Sequence, residues 1–111
     1  VAPTRVIEKE VTDESGAKHR LRVGVIGFTP PQIMQWDKVH LEGKAATLDI
    51  VEAAERHVPE LRRRCDVVVA LCHSGIAGGP RPGGEENAAL HLARVPGIDA
   101  IVAGHQHLLF P

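Results

Sequence analysis

Residues 66–75 read DVVVALCHSG. Three valines in a row, then Ala70 and Leu71, form an apolar, β-branched run too short for a helix. This predicts a buried β-strand over 66–71, with a histidine, a serine and a glycine at its carboxyl end. On its amino-terminal side, residues 47–64 (TLDIVEAAERHVPELRRR) place Ile50, Ala54, Val58 and Leu61, and then Cys65, at spacings of four, four, three and four. That is one face of an α-helix. Thr47 or Asp49 can cap it, and Asp49 with Glu52 makes a capping-box-like pair. Arg62, Arg63 and Arg64 suit the negative end of the helix dipole. Pro59 inside the pattern predicts a kink or break near residue 58.

On the other side, CHSGIAGGPRPGGEEN (72–87) reads as a long loop, with the GGPRPGG segment (78–84) mobile. Residues 86–95 (ENAALHLARV) predict a shorter helix, acidic at its start and basic near its end, and the Pro96-Gly97 pair stops it. A second buried strand follows at 98–103 (IDAIVA), leaving the chain to exit through GHQHLLFP. Upstream, residues 5–11 and 19–28 flank a polar turn containing Gly16 and predict a β-hairpin. Thr29-Pro30-Pro31 ends the second run, because proline cannot donate to a ladder. Residues 32–46 show no clean period and read as a loop with a short helical turn. The order is therefore hairpin, helix, strand, helix, strand: an α/β class, whose second half is a β-α-β unit with parallel strands.

The 111 residues suffice for one domain. Thirteen basic residues against fourteen acidic ones give a net charge of −1, which offers nothing to attract nucleic-acid polymers or anionic membranes. No apolar stretch approaches the roughly 18 residues of a membrane span. Cys65 and Cys72 bracket the strand at 66–71, which would separate them by about 23 Å at its 3.3 Å rise per residue. A disulfide needs Cα atoms within about 7 Å, so both read as buried, inert thiols.

Seven histidines are present. His19, His40, His57 and His91 read as edge, loop and half-exposed helix residues. His73 differs, because it stands just past one predicted strand, as His105 and His107 stand just past the other. In open α/β sheets the carboxyl ends of parallel strands are where sites form. Adjacent glycines, Gly75 and Gly104, allow sharp turns there. Three imidazoles at one sheet edge suit a borderline metal such as Zn²⁺, Mn²⁺ or Fe, against the alternative of polar residues capping strand ends. The His-x-His spacing can aim two rings at one ion or at two neighbouring ions. No Gly-x-Ser-x-Gly elbow, P-loop or Gly-x-Gly-x-x-Gly motif is present. Trp36 can either touch substrate or pack.

RVGVIGFTPPQIMQWDK (22–38), VVVALCHSG (67–75) and IVAGHQH (101–107) together resemble the bacterial 2',3'-cyclic-nucleotide 2'-phosphodiesterase/3'-nucleotidase family. That family belongs to the calcineurin-like metallophosphoesterases and is related to 5'-nucleotidase. The resemblance implies a partial metallophosphatase β-sandwich flanked by helices, with two divalent ions (Zn, Mn, Fe or similar) at one end. It implies that His73 and His105 share one ion and that His107 ligates the neighbouring one. It implies hydrolysis of 2',3'-cyclic nucleotides to 3'-nucleotides and then to nucleosides, in a periplasmic or secreted setting. A 5'-nucleotidase-type phosphomonoesterase and a non-catalytic α/β binding module are the alternatives.

The family's Asp-x-His motif, bridging aspartate and Asn-His pair have no counterpart here, and Asn87 is the only asparagine. Residues 1–111 therefore read as the second half of a metallophosphoesterase catalytic domain. They carry metal ligands but no catalytic residue of their own and no identified substrate contact. Taken alone, such a piece is expected to bind metal weakly, to lack turnover and to self-associate through exposed sheet edges.

Overall fold

The structure, a computed structural model, describes residues 2–109. Strands β1 (Thr4–Thr12) and β2 (Lys18–Phe28) form the expected antiparallel hairpin, pairing Thr4 with Ile26 through to Thr12 with Lys18. Asp13 closes the turn. One carboxylate oxygen accepts from the Ser15 and Ala17 amides at 2.9 and 3.0 Å, while the other meets His19 Nε2 at 2.7 Å. Hydrogen bonds from Ser15 and His19 hold this carboxyl down at about 2. After β2 the chain makes two single helical turns, α1 (Ile33–Trp36) and α2 (Lys38–Leu41).

Helix α3 (Ile50–Arg64) starts at Asp49, whose side chain accepts from the Val51 and Glu52 amides at 3.0 Å each. Its predicted face is its packed face: Ile50, Ala54, Val58 and Leu61 are buried, and Cys65 just beyond is buried with them. Pro59 does not break the helix. It lies on the exposed side, so the bond it cannot donate is one to Glu55, which also faces water, while Val58 and Leu61 hold the helix to the sheet.

Strands β3 (Val67–Cys72) and β4 (Ala100–Ala103) add in parallel, giving a four-stranded sheet in the order β1-β2-β3-β4. An aspartate sets each parallel register. The carboxylate of Asp66 accepts from the Arg22 amide at 2.8 Å and from its guanidinium at 2.9 Å. That of Asp99 accepts from the Val68 amide at 2.7 Å and pairs with Arg62. Starting both strands in this way fixes where they end: the His73 amide donates to Phe28 O, and the Gly104 amide to Cys72 O.

Helix α3 and the short α4 (Ala89–Leu92) cover one face of the sheet, around Ile26, Val68, Ala70 and Cys72. The helix predicted over 86–95 is thus one turn long. Residues 86–88 are held out of it, because the Ala88 amide donates to Ser74 Oγ and the Ala89 amide to Gly75 O. Its His91, expected half-exposed, is buried against the core at 8% exposure. Segment 78–84, expected to be mobile, is tied to the start of α3: Arg81 pairs with Asp49, the Gly84 amide donates to Asp49, and Gln32 Nε2 donates to Gly84 O.

Strands β3 and β4 are apolar on both faces but covered on one. On the other face Leu71 and Val102 are 48% and 60% exposed. The architecture is a single mixed four-stranded sheet with helices on one face. Cys65 and Cys72 are both free and buried, and burial pushes the Cys72 thiol up to about 11, so it is protonated and inert at neutral pH.

The helix lies on the sheet at glycine distance. A Cβ at Gly24 would fall 2.6 Å from Cys65 Sγ and 2.9 Å from Leu61 Cγ. Gly24→Ala is expected to lower unfolding stability by about 1–3 kcal/mol through overpacking, read as a drop in the urea midpoint. An unchanged midpoint would show that the helix can lift without cost.

Candidate metal centre

The parallel register delivers two of the three predicted ligands to one point. His73 leaves β3 and His105 leaves β4, one residue further past its strand. His105 Nδ1 lies 3.2 Å from His73 Nε2, and the rings meet edge to face with centroids 5.0 Å apart. Two nitrogens each about 2.1 Å from a common ion, at an angle of about 100°, stand this far apart. The pair therefore fits a shared divalent ion.

His105 is held on its other sides as well. Its Nε2 lies 2.7 Å from Glu86 Oε1, and its ring stacks on Trp36 at a centroid distance of 5.3 Å and an interplanar angle of 26°. Both His105 and His107 take left-handed backbone conformations, with φ of 93° and 55°. Such residues cost of order 1–3 kcal/mol when strained and persist where their surroundings fix them. The two turns curl the chain so that Gln106, between them, accepts the Ile76 amide at 2.9 Å. The loops after β3 and β4 are thereby joined.

His107 stays exposed and does not join the pair. Among the described residues no three His, Cys, Asp or Glu side chains gather around one point. His107 instead lines an open cavity of about 370 Å³ with Gly75, Ile76, Gly104, His105 and Gln106. A second, shallower hollow of about 540 Å³ runs past His73 between Phe28, Thr29 and Gly104. Both fall within the range of small-molecule sites.

Ser74 supplies the scaffold. Fully buried, it donates from Oγ to Glu86 O and accepts from the Ala88 amide, at 2.7 Å each. A nucleophile would need a free hydroxyl and a base, and this one is spent on the backbone.

In the sequence Glu86 reads only as an acidic residue at a helix start. Its signal was its place directly before an apolar helical pattern in a chain with unexplained strand-end histidines. Trp36 packs on His105 with 49% of its surface exposed.

Known proteins resemble this arrangement along most of the chain. Its sequence is 51% identical over 110 residues to a Haemophilus influenzae protein named 2',3'-cyclic-nucleotide 2'-phosphodiesterase/3'-nucleotidase, covering 98% of this chain and 17% of that one. It is 48% identical to the trifunctional nucleotide phosphoesterase protein YfkN of Bacillus subtilis, covering 98% of this chain and 8% of the relative. The crystal structure of the calcineurin-like phosphoesterase YfkN superposes with a TM-score of 0.93 over 98% of this chain and 33% of that one. A putative 5'-nucleotidase from Staphylococcus aureus, 25% identical, superposes at 0.65 over 93% of this chain and 21% of its own. The chain thus spans about a sixth or less of the length of these curated relatives. The family resemblance read from the sequence is borne out by these names and by a family model, calcineurin-like phosphoesterase, that matches residues 7–109. Both histidine-bearing strand ends lie inside that match, and the chain belongs to the calcineurin-like phosphoesterase family.

Proposed function

We propose that this chain is the second half of a catalytic domain that hydrolyses 2',3'-cyclic nucleotides to 3'-nucleotides and then to nucleosides. The observation that carries the reading is the 3.2 Å approach of His73 Nε2 to His105 Nδ1 at the carboxyl edge of the sheet. In this reading His73 and His105 hold one divalent ion (Zn, Mn, Fe or similar), and His107 holds its neighbour. Bound in pairs, such ions polarise phosphoryl oxygens and make water nucleophilic at neutral pH. The chain's own part is to present neutral imidazoles in fixed orientations and to shape the cavity beside them. In the first reaction water adds across the bond from phosphorus to the 2' oxygen, leaving a free 2'-hydroxyl and a 3'-phosphate. In the second, water releases that phosphate.

The open sheet face, with Leu71 and Val102 exposed, supports the half-domain reading. It would pack against the other half in the parent polypeptide, and it would drive self-association of the isolated chain. A periplasmic or secreted setting goes with the same resemblance. No helix among the described residues is long and apolar enough to cross a membrane.

The test is an assay of the parent polypeptide on 2',3'-cyclic AMP, 3'-AMP and 5'-AMP with added Mn²⁺ or Zn²⁺. Turnover of the first two above 5'-AMP is the expected result. Preference for 5'-AMP would replace this reading with the 5'-nucleotidase type. No turnover with any of the three would favour the binding module.

A further inference from the structure

We propose that Glu86 is a positioning residue of the metal centre: its carboxylate holds Nε2–H of His105 and so commits Nδ1, the nitrogen facing His73, to the ion. The inference rests on the reading of His73 and His105 as ligands of one ion. A neutral imidazole carries a single N–H, and an ionised carboxylate only accepts. With Glu86 Oε1 at 2.7 Å from Nε2, the proton belongs on Nε2 and the lone pair on Nδ1. The opposite tautomer would set a lone pair against the carboxylate and turn an N–H towards His73. A carboxylate behind a ligating imidazole fixes its tautomer and ring orientation and raises its basicity.

Glu86 is put there by the same loop that carries His73. Ser74, the residue after His73, binds the Glu86 carbonyl and the Ala88 amide through one buried hydroxyl. Residues 86–88 are thereby kept out of α4, which leaves the Glu86 side chain beside His105 rather than on the helix. Trp36 holds the ring plane from another direction. These contacts act on a residue whose backbone is itself left-handed, at φ 93°. The contacts that hold it there are therefore also the ones that aim its ring.

The test uses the parent polypeptide and needs no turnover. Long-range proton–nitrogen spectra, taken at alkaline pH where imidazole is neutral, report the tautomer of each histidine. His105 is expected as the Nε2–H form in the wild type and in Glu86→Gln, which keeps an acceptor, and as a mixture in Glu86→Ala. In parallel, Zn²⁺ binding to the same variants is followed by titration calorimetry. Affinity is expected to fall about 10–100-fold in Glu86→Ala and to recover in large part in Glu86→Gln. An unchanged tautomer and unchanged affinity in Glu86→Ala would overturn the proposal for Glu86 alone. Unchanged Zn²⁺ affinity in His73→Ala and His105→Ala would overturn the ligand reading beneath it.

Discussion

His105→Ala in the parent polypeptide is expected to cost more than the roughly 10–100-fold that loss of an outer-shell partner costs a metal site. A loss of 100-fold is already about 2.7 kcal/mol of transition-state stabilisation. The reason is geometric. Among the described residues His105 is the one side chain that meets His73, Glu86 and Trp36 together, so its removal takes away a proposed ligand and leaves the other three without a common partner. His73→Ala removes the facing nitrogen but leaves the Glu86–His105 pair intact. The two variants should therefore lose turnover alike and differ in structure. The check is kcat on 2',3'-cyclic AMP against added Mn²⁺, with metal content measured on the same samples. Recovery of turnover at high Mn²⁺ would mean that only affinity was lost. Persistent loss would mean that the remaining ligands cannot hold the ion in working geometry. Wild-type turnover and metal content in both variants would remove the two histidines from the site.

The parts of the fold legible in the sequence are those written in local periodicity. The i, i+4 pattern of Ile50, Ala54 and Val58 is the buried face of α3, and the valine run at 67–69 is β3. Strand-end histidines were legible because parallel topology turns sequence position into spatial position. Contacts between side chains and distant backbone were not. Nothing near Ser74 in the sequence says that its hydroxyl will reach residues 86 and 88, shorten a predicted helix and present Glu86 to a histidine. Nothing near Pro80 or Pro82 says that Asp49 will hold the loop between them by Arg81 and the following Gly84. His107 marks the boundary from the other side. Its place just past β4 was legible, but among the described residues no group of three His, Cys, Asp or Glu side chains is placed to hold a metal ion.

Gly75→Ala is expected to damage the site from outside the ligand set. A Cβ at Gly75 would fall well inside 3.0 Å of the Gln106 side chain and of Asn87 Oδ1. Gln106 does not give way without losing a hydrogen bond. Gln106 accepts the Ile76 amide through the end of its side chain, and Asn87 Oδ1 is buried without a partner among the described residues. Gly75 O also receives the Ala89 amide, so the backbone cannot simply retreat. Overpacking of this kind costs about 1–3 kcal/mol in stability. The larger effect is on alignment, because Gln106 sits between His105 and His107 and Gly75 lies two residues after His73. Pushing Gln106 away uncouples the loop after β3 from the loop after β4. Displacing a reacting group by about 1 Å can cost on the order of 100-fold in rate. Gly75→Ala should therefore lower kcat in the parent polypeptide by about that factor while the protein stays folded. Adding Gln106→Ala, which relieves the overlap but removes the same link between the loops, should regain stability without regaining the rate. A kcat within twofold of wild type in Gly75→Ala, at unchanged stability, would show that the two loops are not joined at this glycine.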